Sequence, residues 1–224
     1  MANQFYAINN RTYLRRCNDF SERLKIALDE LITFSGIYKN YCVFIVDAVN
    51  SCNLVAPLPK DKVCKYYSIF LNSMAMIAGE FGGKVVKNVG DSLLYYFPET
   101  SNISNGSSFI DPLECGLAMI GAHHIVNTKM QEEDLPPVDY RISADYGSIM
   151  TAKSVNSSND DIFGSTVNIC AKINTKAEPN GMVIGGDLYQ IVKSFAEYHF
   201  EPIVGYYTGL KLQYPVYSIV RRSI

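Results

Sequence analysis

The chain has 224 residues, 48% of them hydrophobic and 19% charged, with a formal net charge of −2. That length suits one domain of ordinary size, or one domain plus a short appended helix, and the apolar share is enough for a packed core, which excludes wholesale disorder. The near-balanced charge lacks the basic face of a general nucleic-acid binder, so no nucleic-acid partner is expected; a few lysines would still suffice for a small anion.

The first thirty residues carry Arg11, Arg15, Arg16 and Glu22 in place of an apolar signal core, and no stretch reaches the length of a membrane span. A cytoplasmic location is therefore expected. From about Asp19 to Gly36 the stripe Leu24, Ala27, Leu28, Leu31 and Phe34 predicts an amphipathic helix stopped at Gly36. Tyr41 to Val46 is a continuous apolar run that ends sharply at Asp47, as a buried central strand does. Pro59 to Phe81 predicts a long helix, with Val63, Tyr66, Phe70, Met74 and Ile77 at helical spacing and Gly82-Gly83 as the stop.

Two β-rich runs follow, Lys84–Asn88 and Ser92–Phe97, joined across Val89-Gly90-Asp91 as a hairpin. After the polar loop 101–108, Asp111 is expected to cap a helix, with Glu114 completing the capping box and the helix running to about Glu133. Val138 to Lys153 alternates as a strand, with a turn or bulge expected at Gly147. Another polar loop, 154–160, leads to a helix over about Ser165–Ala177. A short strand at Met182–Ile184, a helix near Asp187–Ala196 and strands near Ile203–Tyr207 and Lys211–Ile219 close the chain. The order strand–helix–hairpin–helix–strand predicts an α+β fold with a ferredoxin-like split βαβ core and appended elements. That fold hosts many functions and decides none by itself.

Six cysteines (Cys17, Cys42, Cys52, Cys64, Cys115 and Cys170) form no Cys-x-x-Cys pair and read as free, buried thiols. His123, His124 and His199 lack ligand spacing and receive no role. Asp47 and Asp91 are different. Each alone is an ordinary turn aspartate; on adjacent antiparallel strands, their carboxylates converge at one edge. Oxygen donors without histidine or thiolate partners suit a hard cation such as Mg²⁺. The small residues Ala48, Val49, Asn50, Ser51 and Cys52 follow Asp47, and such a loop can turn backbone N–H groups towards phosphate oxygens. On the helix after residue 165, Asn168 and Lys172 stand four apart and share a face, either as a solvated surface or as a grip on sugar and phosphate.

Three segments in this order, VFIVDAVNS, FGGKVVKNVGDSLLYYF and DIFGSTVNICAKINTKAEPNGMVI, resemble the catalytic domain of class III nucleotidyl cyclases, the adenylate and guanylate cyclase fold. The resemblance implies a catalytic domain over residues 41–224, preceded by a helical extension over 1–40. It also implies a metal set of Asp47, Ala48 and Asp91 holding two Mg²⁺ or Mn²⁺ ions. Lys87 and Asp161 would read adenine, Asn168 would orient the ribose, and the 48–52 loop would lie against the phosphates. The implied reaction is attack of the ribose 3′-hydroxyl of ATP on the α-phosphate, giving 3′,5′-cyclic AMP and pyrophosphate. The active sites would lie between the subunits of a homodimer.

Three positions depart from the family pattern. Lys172 stands where an arginine is usual, and Asn50 and Cys52 stand where glycine and threonine are common. Three alternatives stay open: a cyclase using another nucleoside triphosphate, a degenerate domain that binds nucleotide and regulates a partner, and a diguanylate cyclase. The last is disfavoured because Asn88-Val89-Gly90-Asp91-Ser92 lacks the second glycine and following acid of that family's hairpin.

Overall fold

Strand β1 (Ile32–Ala48) lies antiparallel between β3 (Ser92–Phe97) and β4 (Tyr140–Ser154). A computed structural model describes residues 32–104, 106–154, 160–203 and 214–222. The full sheet runs β2 (Lys84–Val89), β3, β1, β4, β6 (Gly181–Gly185), β8 (Val216–Arg221), β7 (Tyr198–Pro202), with β5 (Asp161–Phe163) paired to β4. The order β4-β1-β3-β2 is that of a split βαβ core: β1 and β2 run parallel with β3 between them. Only the β4–β6 pairing is parallel among the described ladders.

Period-two alternation divides β1 between two environments. Cys42, Phe44, Val46 and Ala48 enter the main core, against Tyr66, Phe70 and Met74 of α2 (Lys60–Glu80) and Leu113, Cys115 and Met119 of α3 (Ile110–Gly121). Val43 and Ile45 face the other way, into a smaller cluster with Leu94, Tyr96, Ile149 and Ile162. Asp47 continues this second row, so the chemistry of the chain lies on the sheet face away from the long helices. Helix α5 (Ser165–Asn174) packs on the same face.

Helix α2 ends as the sequence predicts. Gly82 takes φ +79°, its N–H reaches the Gly79 carbonyl at 3.0 Å, and the Gly83 N–H reaches that of Ala78 at 2.7 Å. Those two bonds are a Schellman cap. Several other expectations are corrected. Residues 32–36 are strand, so the predicted amphipathic helix cannot run to Gly36; the rest of that helix lies outside the described residues. Gly36 has φ +67° beside a register shift between Phe34 and Tyr38, so it serves a bulge in β1.

The expected bulge at Gly147 is absent. Gly147 sits in regular register opposite Tyr41, and a Cβ there would meet Thr166 Oγ1 at 2.5 Å, so the glycine lets α5 approach β4. The single helix expected over 111–133 is two, α3 and α4 (His123–Glu132), broken at Ala122, where ψ is −7° directly after Gly121. Among the described residues Asp111 makes no capping bond, and Glu114 instead accepts the Tyr198 hydroxyl at 2.6 Å and pairs with Arg221. Helix α6 (Gly186–Val192) is shorter than expected, and β7 comes earlier than the 203–207 strand, most of which lies outside the described residues. Cys42, Cys115 and Cys170 are buried thiols as expected, whereas Cys52 and Cys64 are exposed and Cys17 lies outside the described residues.

The buried carboxylate Asp145 fastens the far side of β4. It accepts the Tyr146 N–H at 2.9 Å, the Leu188 N–H at 3.3 Å and the Tyr214 hydroxyl at 2.7 Å. It thus supplies the first turn of α6 with an acceptor that the helix lacks within itself. Burial outweighs these bonds and pushes the Asp145 pKa up to about 6. A folded-state pKa above the unfolded value means that the group's contribution is whole below about pH 4 and declines as pH rises through 6. Wild-type protein should therefore lose stability relative to Asp145→Asn between pH 4 and 7, by on the order of 3 kcal/mol, measured by urea unfolding at each pH.

Candidate active site

The β1–β3 register sets Asp47 opposite Ser92, and the β1–β4 register sets it opposite Arg141. Ser92 Oγ donates to Asp47 Oδ1. Asp91 occupies the two-residue turn between β2 and β3, after Gly90 at φ +62°, as in a II′-type hairpin. Ser51 Oγ donates to Asp91 Oδ2. Each carboxylate thus has one oxygen held by a serine hydroxyl, and among the described residues neither Asp47 Oδ2 nor Asp91 Oδ1 accepts a hydrogen bond. Burial first, and then the charge of Asp91, push the Asp47 carboxyl above its ordinary value; Ser92 and Arg141 pull the other way.

This donor set fits a divalent cation. It is all oxygen, and its two like charges repel until a cation lies between them. Arg141 was not singled out from the sequence. Its Nε is buried without a partner among the described residues, beside Asp47, where an anion could accept from it. The available signal was the alternation of Tyr140, Ile142 and Ala144, which turns Arg141 to the opposite face.

Asn50 closes the turn after β1 at φ +56°, ψ 24° and precedes the short helix α1 (Ser51–Val55). Asparagine is among the few side chains that accept this left-handed region, which explains how the turn forms without glycine. Asn53 Nδ2 donates to Asn50 Oδ1, the Val49 N–H donates to the Asp139 carbonyl at 2.7 Å, and the Ala48 N–H to that of Asp91 at 3.4 Å. The N–H groups of Ala48 and Val49 are therefore engaged within the protein rather than turned outwards. Cys52 is exposed at the start of α1. His123, given no role from the sequence, bonds Asp139 Oδ1 at 2.9 Å at the foot of this turn.

A β-bulge aims Lys87. Val85 pairs with Tyr95 and Lys87 with Leu94, so Val86 is the extra residue. Regular pairing would set Lys87 opposite Leu93, on the face covered by helices. With the bulge, Lys87 Nζ meets Asp161 Oδ2 of β5. Lys87 also lines a cleft of about 360 Å³ together with Asp47, Ser92, Ile162, Val167, Ala171 and Asn174. Helix α5 is anchored by Asn174 Nδ2, which donates to the Ile45 carbonyl at 3.2 Å and to Ser143 Oγ at 3.2 Å. Asn168 and Lys172 are exposed on α5, one turn apart, and do not line that cleft. One chain thus brings together Asp47 with Asp91 and Lys87 with Asp161, and leaves Asn168 and Lys172 facing outwards.

Residues 35–208 match the family of the adenylate and guanylate cyclase catalytic domain. A Rhizobium meliloti (strain 1021) protein named as an adenylate cyclase is 26% identical over 175 residues, 78% of this chain. A Staphylococcus aureus protein named cytidylate cyclase is 25% identical over 157 residues, 67% of this chain. The matches span 27% and 37% of those two proteins, so this chain corresponds to part of their length. The crystal structure of the adenylyl cyclase CyaB from P. aeruginosa superposes with a TM-score of 0.74 at 19% identity, over 84% of this chain and 96% of that one. The guanylyl cyclase Cya2 gives 0.74 at 18%, over 82% and 93%. At such identities the superpositions establish the fold.

Asn50→Gly should leave stability within about 0.5 kcal/mol, because glycine accepts the same φ. Asn50→Val should cost roughly 1–2 kcal/mol from left-handed strain, read as a lower denaturation midpoint. Equal stability of the two variants would mean that the turn changes shape.

Proposed function

The chain belongs to the adenylate and guanylate cyclase catalytic-domain family, and from that premise we propose that it is an adenylate cyclase, converting ATP to 3′,5′-cyclic AMP and pyrophosphate in a homodimer with shared sites. The observation that carries the choice of ATP is the Lys87–Asp161 pair at the bulged edge of the sheet. The ammonium offers a donor for adenine N1 and the carboxylate an acceptor for the 6-amino group. Guanine reverses that pattern, and a wrong base leaves both groups unpaired.

Asp47 and Asp91, with Ala48, would hold Mg²⁺ or Mn²⁺. When bound, such ions supply Lewis acidity to the attacking hydroxyl and neutralise charge on the departing pyrophosphate. The chain's own residues do the remaining positioning. Arg141 and the backbone N–H groups of Asn50, Ser51 and Cys52 meet the phosphates, Asn168 orients the ribose, and Lys172 meets charge that grows in the transition state. Asn168 and Lys172 are exposed in the single chain and do not line the cleft that Asp47 lines, which supports a site completed by a second subunit. The similarity to a protein named cytidylate cyclase favours one second reading, a pyrimidine triphosphate as substrate.

Purified protein given Mn²⁺ and each of the four triphosphates should yield cyclic AMP from ATP as the main product by mass spectrometry. Cyclic CMP as the main product would establish the second reading, and nucleotide binding without product a regulatory domain. Asp47→Asn and Asp91→Asn should each lower turnover by at least about a thousandfold, several kcal/mol of barrier, with unchanged circular dichroism. Mixing Asp47→Asn with Asn168→Ala chains should restore about a quarter of wild-type activity, since random pairing makes half the dimers mixed, each with one whole site. Proven mixed dimers without activity would contradict the shared site. Lys87→Glu combined with Asp161→Cys should reduce ATP preference over GTP by at least about tenfold; an unchanged ratio of kcat/KM values would locate base recognition elsewhere.

A further inference from the structure

Asp91 lies in a hairpin turn, where backbone geometry alone leaves its side chain free to rotate. A line of hydroxyl groups reaches it from the helical layer. Tyr67 OH of α2 lies 3.4 Å from Ser51 Oγ, the first residue of α1, and Ser51 Oγ donates to Asp91 Oδ2. A serine hydroxyl has one proton, and this one goes to the carboxylate, so Tyr67 is the donor in the outer contact. The polarity then runs one way, from Tyr67 to Ser51 to Asp91, and each bond strengthens the next. Ser51 is 1% exposed, so water does not compete for its proton. The Tyr67 ring is steadied edge-on by the buried ring of Tyr66, with centroids 5.6 Å apart.

We propose that Ser51 and Tyr67 are positioning residues which, through this line of hydroxyls, hold Asp91 with its Oδ1 presented to a divalent cation. The inference rests on the reading of Asp91 as a metal ligand and adds two residues that touch neither metal nor nucleotide through these groups. A carboxylate fixed through one oxygen binds a cation with the other at lower entropic cost, and loss of such an outer hydrogen bond weakens metal affinity by about 10–100-fold. The turn at Asn50 makes the arrangement possible, because its left-handed residue directs the chain so that Ser51 enters the interior while Cys52 stays outside.

The test is titration of the full chain with Mn²⁺ alone, followed by electron paramagnetic resonance of free Mn²⁺. The variants are Asp91→Asn, Ser51→Ala, Tyr67→Phe and the Ser51→Ala/Tyr67→Phe double. Asp91→Asn should lose binding. Ser51→Ala should weaken it by about tenfold or more, and Tyr67→Phe by about threefold to tenfold. The double variant should match Ser51→Ala within about twofold, because Tyr67 acts only through Ser51. In assays, both single variants should need more Mn²⁺ for half-maximal rate and regain most of kcat at saturation, which a loss of packing would not produce. Wild-type affinity in a folded Ser51→Ala, with Asp91→Asn unable to bind, overturns this inference alone. If Ser51→Ala fails to fold, unchanged affinity in Tyr67→Phe overturns the line of hydroxyls. If Asp91→Asn binds like wild type, the metal role of Asp91 falls and this inference with it.

Discussion

The register of β1 between its two antiparallel neighbours is the constraint on which the rest depends. Pairing Asp47 with Ser92 on one side and Arg141 on the other places a carboxylate, a hydroxyl and a guanidinium in one row across three strands. A slip of one residue would turn Asp47 into the helix-covered core and bring Val46 or Ala48 to the open face. The slip is opposed by four alternate side chains of β1, Cys42, Phe44, Val46 and Ala48, all buried against α2 and α3. Hydrophobic burial on one face thus specifies a polar arrangement on the other.

Helix α5 is placed by polar bonds as much as by packing. Asn174 and Cys170 reach buried carbonyl and hydroxyl groups of β1 and β4, and Gly147 leaves room for Thr166. Each such bond satisfies a donor that would otherwise be buried alone, so moving the helix carries the full cost of stranding it. Asn168 and Lys172 inherit that fixed position while remaining at the surface. Rigid presentation of exposed polar groups is what the proposed shared site would require, since neither subunit can organise the other's side chains before they meet.

Lysine in place of arginine at residue 172 fits the same pattern of partial departure from the family. A compact ammonium offers charge without a planar fork. Asn50 departs differently: its side chain differs from glycine, yet its backbone adopts the left-handed conformation that glycine would supply. The first exchanges a planar cation for a compact one, and the second preserves backbone geometry.

Much of this protein could be read in its residues alone. The apolar run ending at Asp47, the α2 stripe and its Gly82 stop, the hairpin around Asp91 and the split βαβ order all rest on local periodicity and turn chemistry, which are written in short stretches of chain. The family followed from three segments in order. What tertiary structure alone decided depends on partners distant in sequence. The bulge at Val86 has no local signature, yet it turns Lys87 towards Asp161, 74 residues away. Arg141 gains meaning only opposite Asp47, and Glu114 leaves its expected capping bond for Tyr198 and Arg221. Ser51 shows its contact with Asp91 only once Asn50 has turned the chain inward. Local sequence determines which elements form, because their energies are local; the aim of each polar side chain is settled by long-range register and by whichever buried partner spares it an unmet hydrogen bond.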